Sequence, residues 1–582
     1  MLVDMYLRET KRRNRDGSVV SYLALAHNER DPESGMPKAR ILYNLGRADR
    51  VDRAALGRLV DSISRVLEGG GGPDSAVDGA GAGVAPIVDA RPMGTAWVAD
   101  QLWCRLGIAE AISEAVAGGR VDAEAVERVV FAMVANRLSG EPLSKRAGTR
   151  WVAERVFIDG LEAMSEDDCY RSMDRFLAVI GEVQRRVFFS VANLLNLEVD
   201  LLFFDSTSTY WETETEDEPA GPAGGAEEGD EGDDAALAVE AAVRTWGRSK
   251  DHRGDLPQVV IGMAVTREGI PVRLWTFPGD ASDQKIIRRV KNDLRDWQLG
   301  RVIWVLDRGF TSEDNRRYLQ RAGGGYIMGE KLRGASAEAA AALSRQGRYR
   351  TVAGNLRIKE VRVDDGAARD RFVVCYNPDA AERDAVVRER ILTRLQAAIE
   401  GSDQLPAAKR AELAGALKTK PGYNRFLRTT PKGYLRLDRA AARRDAHYDG
   451  KYLLRTSDQS LSAADIAEGY KALYHAERGW RDLKTGIDLR PIFHHKPQRI
   501  EAHIQLCWLA LLLIRTAEHA TGQTWRNLRA ELDRLHLVTM ATDDGHLAQR
   551  GELTQGQRDI LTALELPTPP RIFDFAPADS RQ

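Results

Sequence analysis

The sequence predicts an α/β protein built from several domains. A chain of 582 residues is too long for one compact core, so two to four domains are expected. With 43% hydrophobic and 29% charged residues, the composition is typical of a soluble globular protein. Apolar periodicity typical of helices runs through residues 94–200, and short apolar runs typical of buried strands follow up to residue 307.

The N-terminal third divides by composition into three parts. Residues 1–67 form a small β-containing region with short strand-like pieces and the basic run KRRNR. Residues 68–90 are a Gly/Ala-rich linker that cannot bury a core. Residues 91–199 are predicted to form a helical domain, because apolar residues recur there at helical spacing.

Residues 200–329 show the most specific order of elements. The run VDLLFFD predicts a buried strand that ends at Asp205, and PQVVIGMAV and IPVRLWTF predict two strands joined by the turn TREG. A helix over 282–298 follows, and RVIWVLD predicts a strand that ends at Asp307. The order is therefore strand, hairpin, helix, strand, with an acidic residue closing the first and last strands.

The remaining chain is predicted from its composition and periodicity. Residues 214–236 are acidic and of low complexity, which is typical of a disordered loop. Residues 330–464 are a mixed insertion with strands at RFVVCYN and GKYLLRT and a charged helix near 379–400. Residues 465–520 contain two helices, the second strongly apolar, and residues 521–582 are predicted to be helical and then frayed.

The charge distribution is uneven. The net charge of the chain is −2, but eleven Asp or Glu residues and no Lys or Arg lie between Glu212 and Asp234. Removing these eleven negative charges leaves +9 on the rest of the chain. A mildly basic protein with one acidic segment is compatible with a nucleic-acid partner. Four widely spaced cysteines without a CxxC pair suit a reducing cytosol and argue against a structural zinc site.

The segment YKALYHAERGWRDLK, residues 470–484, carries an unusual polar stripe. As one helix, it would place Tyr470, Glu477, Arg481 and Lys484 within a narrow arc, beside an apolar face that contains Leu473. Alone, such an arc is usually a solvated surface. The two aspartates that close the predicted strands favour a different interpretation, in which the arc forms part of an active site.

Three carboxylates, Asp205, Asp307 and Glu477, are the candidate catalytic residues. If the helix packs beside the sheet, their oxygens converge, and their mutual repulsion would be relieved by divalent cations. Ligation by oxygen alone favours Mg²⁺ or Mn²⁺ over zinc. Two such ions per site can activate an oxygen nucleophile and stabilise the leaving oxygen of a phosphoryl displacement. The neighbouring Arg308 and Arg481 fit a polyanionic substrate.

The motifs resemble those of bacterial insertion-sequence DDE transposases with a Tyr–Arg–Glu–Lys signature. Tyr470, Glu477 and Lys484 match the signature spacing, whereas Leu473 replaces the Arg. Further stretches that resemble one branch of the group are WGRSKDHRGDLPQVVIGMAV, PGDASD, VLDRGFTSEDN, YDGKYLLRTSDQSLS and GIDLRPIFHHKPQRIEAHIQLC. The resemblance covers most of residues 1–520, and its motifs occur in the expected order.

The resemblance implies an RNase H-like catalytic core, formed by residues 200–329 and 465–520 and interrupted by the insertion. It also implies that Asp205, Asp307 and Glu477 bind two Mg²⁺ ions, with Mn²⁺ able to substitute. Double-stranded DNA with terminal inverted repeats would be cleaved and transferred, normally by a homodimer, and the helical domain 91–199 is expected to bind DNA. The expected DNA contacts are Tyr470, Lys484, Arg481, Arg308, Lys250 and Arg253.

Other functions remain open at the level of sequence. A decayed element protein could bind DNA without cutting it, and the same triad could serve a nuclease without strand transfer. Paired carboxylates also serve glycoside hydrolysis, but the basic setting of residues 477–484 disfavours that chemistry. No transmembrane segment is predicted, since the apolar run CWLALLLI (507–514) is too short to cross a bilayer. A cytoplasmic location is expected.

Overall fold

The computed structural model describes most of the chain. The described residues are 5–13, 19–30, 37–47, 85–118, 120–195, 197, 200–211, 215–217, 243–297, 299–364, 369–490, 492, 494–542 and 544–577. The predicted linker 68–90 and acidic loop 214–236 lie outside these residues, except for 85–90 and 215–217. The chain divides into two compact units, residues 1–175 with 516–582 and residues 176–515.

The first unit contains two antiparallel sheets and a group of helices. The N-terminal sheet has the order β1–β2–β3, in agreement with the predicted β-containing region. Its strands are β1 Met5–Arg13, β2 Val19–Arg30 and β3 Pro37–Arg47. The predicted helices are confirmed as α1 Gly94–Arg105, α2 Ile108–Val116, α3 Ala123–Leu138, α4 Lys145–Glu154 and α5 Glu166–Ala178.

The C-terminal region differs from its prediction as a helical segment with a frayed tail. It contains two helices, α17 Trp525–Leu532 and α18 Gln555–Ala563. It also supplies three strands of a four-stranded sheet in the order β18–β17–β16–β4. These strands are β4 Ile87–Pro92, β16 His536–Thr542, β17 Gly545–Arg550 and β18 Ile572–Pro577. The prediction failed because β16 pairs with β4, a partner more than 400 residues away in sequence.

The second unit is organised around one nine-stranded mixed sheet. Its order is β10–β11–β12–β15–β9–β8–β5–β6–β7. The strands are β5 Leu201–Tyr210, β6 Gln258–Val265, β7 Pro271–Pro278, β8 Ile303–Leu306, β9 Gly325–Glu330, β10 Arg350–Ala353, β11 Leu356–Asp364, β12 Arg369–Tyr376 and β15 Lys451–Thr456. Strand β8 runs parallel to β5 and β9, and the other neighbours are antiparallel.

Helices cover the second unit's sheet and carry its core. They are α6 Ile180–Leu194, α7 Asp283–Arg295, α8 Glu313–Leu319, α9 Ala337–Ser344, α14 Ala463–Lys471, α15 Tyr474–Thr485 and α16 Pro497–Thr521. The α7 face formed by Ile286, Ile287, Val290 and Leu294 packs into the same apolar cluster as Phe204. Its spacing of three or four residues is the amphipathic pattern that the sequence predicted.

Helix α16 contains the apolar run at 507–514 and agrees with the strongly apolar helix predicted there. By length and composition alone it could cross a membrane, but 94% of its apolar window is buried in the protein. It is therefore a core helix, and it supplies no evidence for a membrane location.

The insertion combines two kinds of structure. Its strands β10, β11, β12 and β15 extend the main sheet, since β15 pairs with β9. The segment between β12 and β15 contains α10 Pro378–Ile399, α11 Ala407–Lys418, α12 Pro421–Asn424, β13 Leu427–Thr429, β14 Leu435–Leu437 and α13 Arg439–Ala446. The chain leaves and returns at one point, where Tyr376 faces Lys451 and the Asn377 N–H donates to the Gly450 carbonyl at 2.8 Å.

Candidate active site

Asp205 and Asp307 lie side by side on neighbouring parallel strands. The register pairs Phe204 of β5 with Leu306 of β8, so the next residue on each strand is an aspartate. Strand β5 does not end at Asp205, as the sequence suggested, but continues to Tyr210. It continues because the polar run STSTY pairs with β6, with Asp205 opposite Met263. Asp307 follows β8 directly and begins a 3₁₀ turn.

Burial changes the acidity of the first carboxylate. The pKa of Asp205 is raised to about 6, chiefly by burial and to a smaller extent by the negative charges of Asp307 and Asp283. The Lys250 ammonium and the Ser206 N–H act in the opposite direction. A carboxylate held beside two others in a poorly hydrated position is a strong ligand for a cation. The cation offsets both the cost of burying the negative charge and the repulsion between the carboxylates.

Asp283 is a site residue that sequence reasoning did not single out. The Ser206 hydroxyl donates to its Oδ1 at 2.6 Å, and Lys250 Nζ lies 4.0 Å from the same oxygen. Gly309, two residues after Asp307, lies so close that an added Cβ would be 2.8 Å from Asp283 Oδ2. The motif PGDASD contained the signal, but only the fold shows that α7 begins beside β5.

Tyr470 contacts the second carboxylate. Its hydroxyl donates to Asp307 Oδ1 at 3.2 Å, and its ring stacks on Tyr452 of β15 with centroids 6.0 Å apart. Burial and the Asp307 charge raise the pKa of Tyr470, so the phenol stays protonated as a donor. Gly329 of β9 makes this arrangement possible, since a Cβ there would lie 2.4 Å from the Tyr470 hydroxyl oxygen.

Glu477 belongs to a different helix from Tyr470. The single helix predicted for 470–484 is wrong, because α14 ends at Lys471 and α15 begins at Tyr474. Leu473, which stands where the signature has Arg, is buried at the break. Glu477 is exposed in the first turn of α15, close enough for its charge to raise the pKa of Tyr470.

The three carboxylates are only partly assembled. The structure brings Asp205 and Asp307 together and places Glu477 on the Tyr470 side of the pair. Within the described ranges, no three Asp, Glu, His or Cys side chains are close enough to hold one metal ion. The donor set still fits a hard divalent cation, because the site offers carboxylate oxygens around the half-buried Asp205. Asp205 and Asp307 would hold the cation. Glu477 would become the third carboxylate ligand if α15 moved toward them.

Lys484 is engaged by the protein itself. Its ammonium donates to the Ser208 carbonyl of β5 at 2.9 Å and to both Asp251 oxygens at 3.0 and 3.1 Å. Asp251 also pairs with Arg490 at 2.7 Å. Burial lowers the pKa of Lys484, and Asp251 opposes that effect. The Lys484–Asp251 pair holds α15 against the loop that contains SKDHR. The sequence alone did not predict a contact between these two segments.

The other predicted cations occupy different positions. Lys250 donates to the Ser206 carbonyl and hydroxyl, beside Asp205. Arg308 is exposed next to Asp307 and lowers the pKa of Tyr470. Arg253 pairs with Asp255 and lies over the Tyr210 ring, 5.0 Å from its centroid.

Arg481 does not join these residues in the described contacts. It is exposed, with its guanidinium 5.9 Å from the ring centroid of Tyr474, itself 50% exposed. The structure thus gathers Lys250, Arg308 and Tyr470 around the aspartate pair and leaves Arg481 on the solvent side of α15.

Comparison with known families identifies the class of protein. The family model described as Transposase DDE domain matches residues 200–513, more than half of the chain, and the protein belongs to this family. The model for the N-terminal domain of IS1634 family transposases matches residues 7–74. The protein is therefore an insertion-sequence DDE transposase, an enzyme of DNA transposition. Membership implies DNA binding and cleavage and dependence on a divalent metal.

Solved structures and curated proteins do not narrow the identification further. A cryo-EM structure of the piggyBac transposase synaptic complex with hairpin DNA is similar at 10% identity, covering 76% of this chain and 77% of that one. The TM-score is 0.34, which does not establish a shared fold. No curated protein matches the chain significantly.

Proposed function

We propose that this transposase binds the terminal inverted repeats of its element and catalyses both strand cleavage and strand transfer. Asp205, Asp307 and Glu477 are the proposed metal ligands, and Mg²⁺ is the proposed ion, with Mn²⁺ able to substitute. The observation that carries the proposal is the parallel pairing of β5 with β8, which sets Asp205 beside Asp307. When bound, two ions would supply Lewis-acid stabilisation of the attacking and leaving oxygens.

The proposed core is RNase H-like. The order β7–β6–β5–β8–β9 supports this, because three antiparallel strands are followed by two strands parallel to the first. In such a sheet Asp205, in the middle of β5, and Asp307, directly after β8, lie next to each other on neighbouring strands.

The proposed protein roles follow from the contacts. Tyr470 holds the Asp307 carboxylate in orientation through its hydroxyl. Lys250 and Arg308 flank the pair and would bind the phosphates on either side of the scissile bond. Lys484, Arg253 and Arg481 are further proposed DNA contacts, of which Lys484 must first leave Asp251. If Arg481 replaces the missing signature Arg, Arg481→Ala weakens binding of the DNA end; unchanged binding, with Lys484→Ala weakened, contradicts this role.

Assembly and location are proposed on the same basis. We infer that two copies act together on a pair of ends, that the helical region 91–199 contributes DNA contacts, and that the protein works in the cytoplasm, where its DNA is. Light scattering of the protein with and without end DNA tests the first point: a dimeric mass with DNA is expected, and one copy per DNA would contradict it.

Two assays test the proposed reaction. A labelled inverted-repeat duplex should be nicked at the element end in Mg²⁺, and a pre-cut end should be joined to plasmid DNA. Binding without nicking would leave a DNA-binding element protein, and nicking without joining would leave a nuclease. Asp296→Asn is a matched control, since Asp296 is exposed at the end of α7.

A further inference from the structure

The segment 378–449, here named the insertion subdomain, has its own apolar core. Leu395 and Ile399 of α10, Leu417 of α11, Phe426, and Leu435 of β14 are buried together in one cluster. The subdomain therefore presents a surface of fixed shape, and the charges on that surface hold defined positions relative to one another.

Exposed positive charge is concentrated on one part of this subdomain. Residues 418–444 contain nine Lys or Arg residues and one acidic residue, Asp438. Asp438 caps α13, since its side chain accepts from the Ala441 N–H. All nine basic side chains are exposed: Lys418, Lys420, Arg425, Arg428, Lys432, Arg436, Arg439, Arg443 and Arg444. A net charge of +8 over 27 residues contrasts with the −2 of the whole chain.

The β13–β14 ribbon sets two of these charges against each other. Leu427 faces Leu437, whereas Arg428 faces Arg436 on the exposed side. Like charges directly opposite each other destabilise a strand pair. Asp403 relieves Arg436 through hydrogen bonds of 2.8 and 2.9 Å, but Arg428 has no carboxylate partner among the described residues. A polyanion bound from outside would neutralise the repulsion between Arg428 and Arg436.

Helix α13 adds to the same surface. Arg443 and Arg444 lie in its last turn, where the helix dipole favours cations. Arg439 stands four residues before Arg443, a like-charge spacing that destabilises an isolated helix. The helix dipole favours only the two positive charges in the last turn of α13. It does not explain why Arg428, Lys432 and Arg439 carry positive charge on this surface.

The basic surface is joined to the candidate active site by a short stretch of chain. Arg444 and Tyr452 are eight positions apart in the sequence, so their Cα atoms are at most about 29 Å apart. Tyr452 stacks on Tyr470, which donates to Asp307. One helical turn of duplex DNA spans about 34–36 Å. The chain path from Tyr452 to Arg444 is thus shorter than one turn of duplex, so a duplex that has its cut phosphate at Asp307 and runs toward the subdomain would meet the basic surface.

We propose that the basic surface formed by residues 418–444 binds the phosphate backbone of the element-end duplex next to the cleavage point. The proposal rests on the proposed cleavage function. Exposed Lys and Arg side chains that bind phosphates position DNA without reading its sequence, so the surface holds the duplex while other parts of the protein select the end.

The test is the salt dependence of binding to an inverted-repeat duplex. In the variant R428Q/K432Q/R439Q, the slope of log K against log salt concentration should fall in magnitude by up to about 2.7, roughly 0.9 for each phosphate that the variant no longer neutralises. The control R383Q/R390Q/R394Q removes the same charge from exposed positions of α10, where Glu382, Asp384 and Glu389 are interspersed. It should keep the wild-type slope, and thermal unfolding should show both variants folded.

The possible results distinguish a wrong assignment of the basic surface from a wrong proposed function. A wild-type slope in the first variant, or an equal reduction in the control, overturns the proposal even if the protein cleaves DNA in Mg²⁺. If end binding is normal but joining to plasmid DNA falls, the surface serves target DNA and the proposal is also wrong. If the wild type binds ends with the expected slope but cuts nothing, the proposed function fails while the binding assignment stands.

Discussion

The aspartate pair and the basic surface of the insertion subdomain both gather like charges, but in opposite surroundings. Asp205 is half-buried beside Asp307, and its pKa is raised to about 6. Arg428 and Arg436 face each other in open solvent. Repulsion in a poorly hydrated site is strong and needs a ligand at a fixed point, whereas solvent and salt weaken it at the surface. The first arrangement suits chemistry, and the second suits diffuse attraction.

The largest expected effect is at the aspartate pair. Asp307→Asn removes the negative charge of one proposed ligand and leaves an uncharged amide oxygen as acceptor of the Tyr470 hydroxyl. We expect Mg²⁺-dependent nicking to fall by at least about 10²–10³-fold, because a charged ligand of the proposed metal site is lost and with it stabilisation of the charge that develops in the reaction. Gel assays of labelled end duplex give the rate. Near wild-type nicking, with Asp296→Asn equally active, would remove Asp307 from the site.

The next effect concerns the support behind the pair. Gly329→Ala would place a Cβ 2.4 Å from the Tyr470 hydroxyl oxygen, so the tyrosine must move away from Asp307. Overpacking of this kind costs about 1–3 kcal/mol, or roughly ten- to a hundredfold in the nicking rate. Tyr470→Phe should cost less on its own and should recover part of the activity in the Gly329→Ala background. Strictly additive losses would show that the two positions are independent.

A stability measurement examines the burial cost of Asp205. Its pKa is higher in the folded protein, so between about pH 4 and 6 the folded state binds more protons than the unfolded state. Its contribution to the free energy of unfolding is therefore complete below about pH 4 and lost above about pH 6, by up to about 3 kcal/mol. Urea unfolding without metal should show this decline in the wild type. Asp205→Asn should flatten it, and a parallel decline in the variant would assign it elsewhere.

The smallest effect is expected from one surface charge. Arg428→Gln should reduce the salt slope of end binding by about 0.9 and leave unfolding within about 0.5 kcal/mol of wild type. Relief of the Arg428–Arg436 opposition should make any stability change favourable. A marked loss of stability would mean that Arg428 has a structural role and would weaken the contrast between the two regions.

Sequence alone predicted the parts of this site that depend on local pattern. The apolar runs before Asp205 and Asp307 predicted strands β5 and β8, whereas their pairing as neighbours is seen only in the fold. The break at Ala472–Leu473 was missed, because Ala and Leu favour helix locally and only packing requires two helices. The Lys484–Asp251 pair and the place of Asp283 depend on contacts between distant segments, which no local pattern contains.

The narrow attachment of the insertion subdomain has an evolutionary consequence. Its 72 residues are bounded by Asn377 and Gly450, and Gly450 has a φ of +64°. Joined directly, these two residues would be Asn-Gly, the dipeptide favoured in a two-residue hairpin turn between β12 and β15. The subdomain thus occupies the place of a tight turn and could be gained, lost or exchanged without shifting the strand register. Lineages could in this way change how they hold DNA while inheriting the same catalytic sheet.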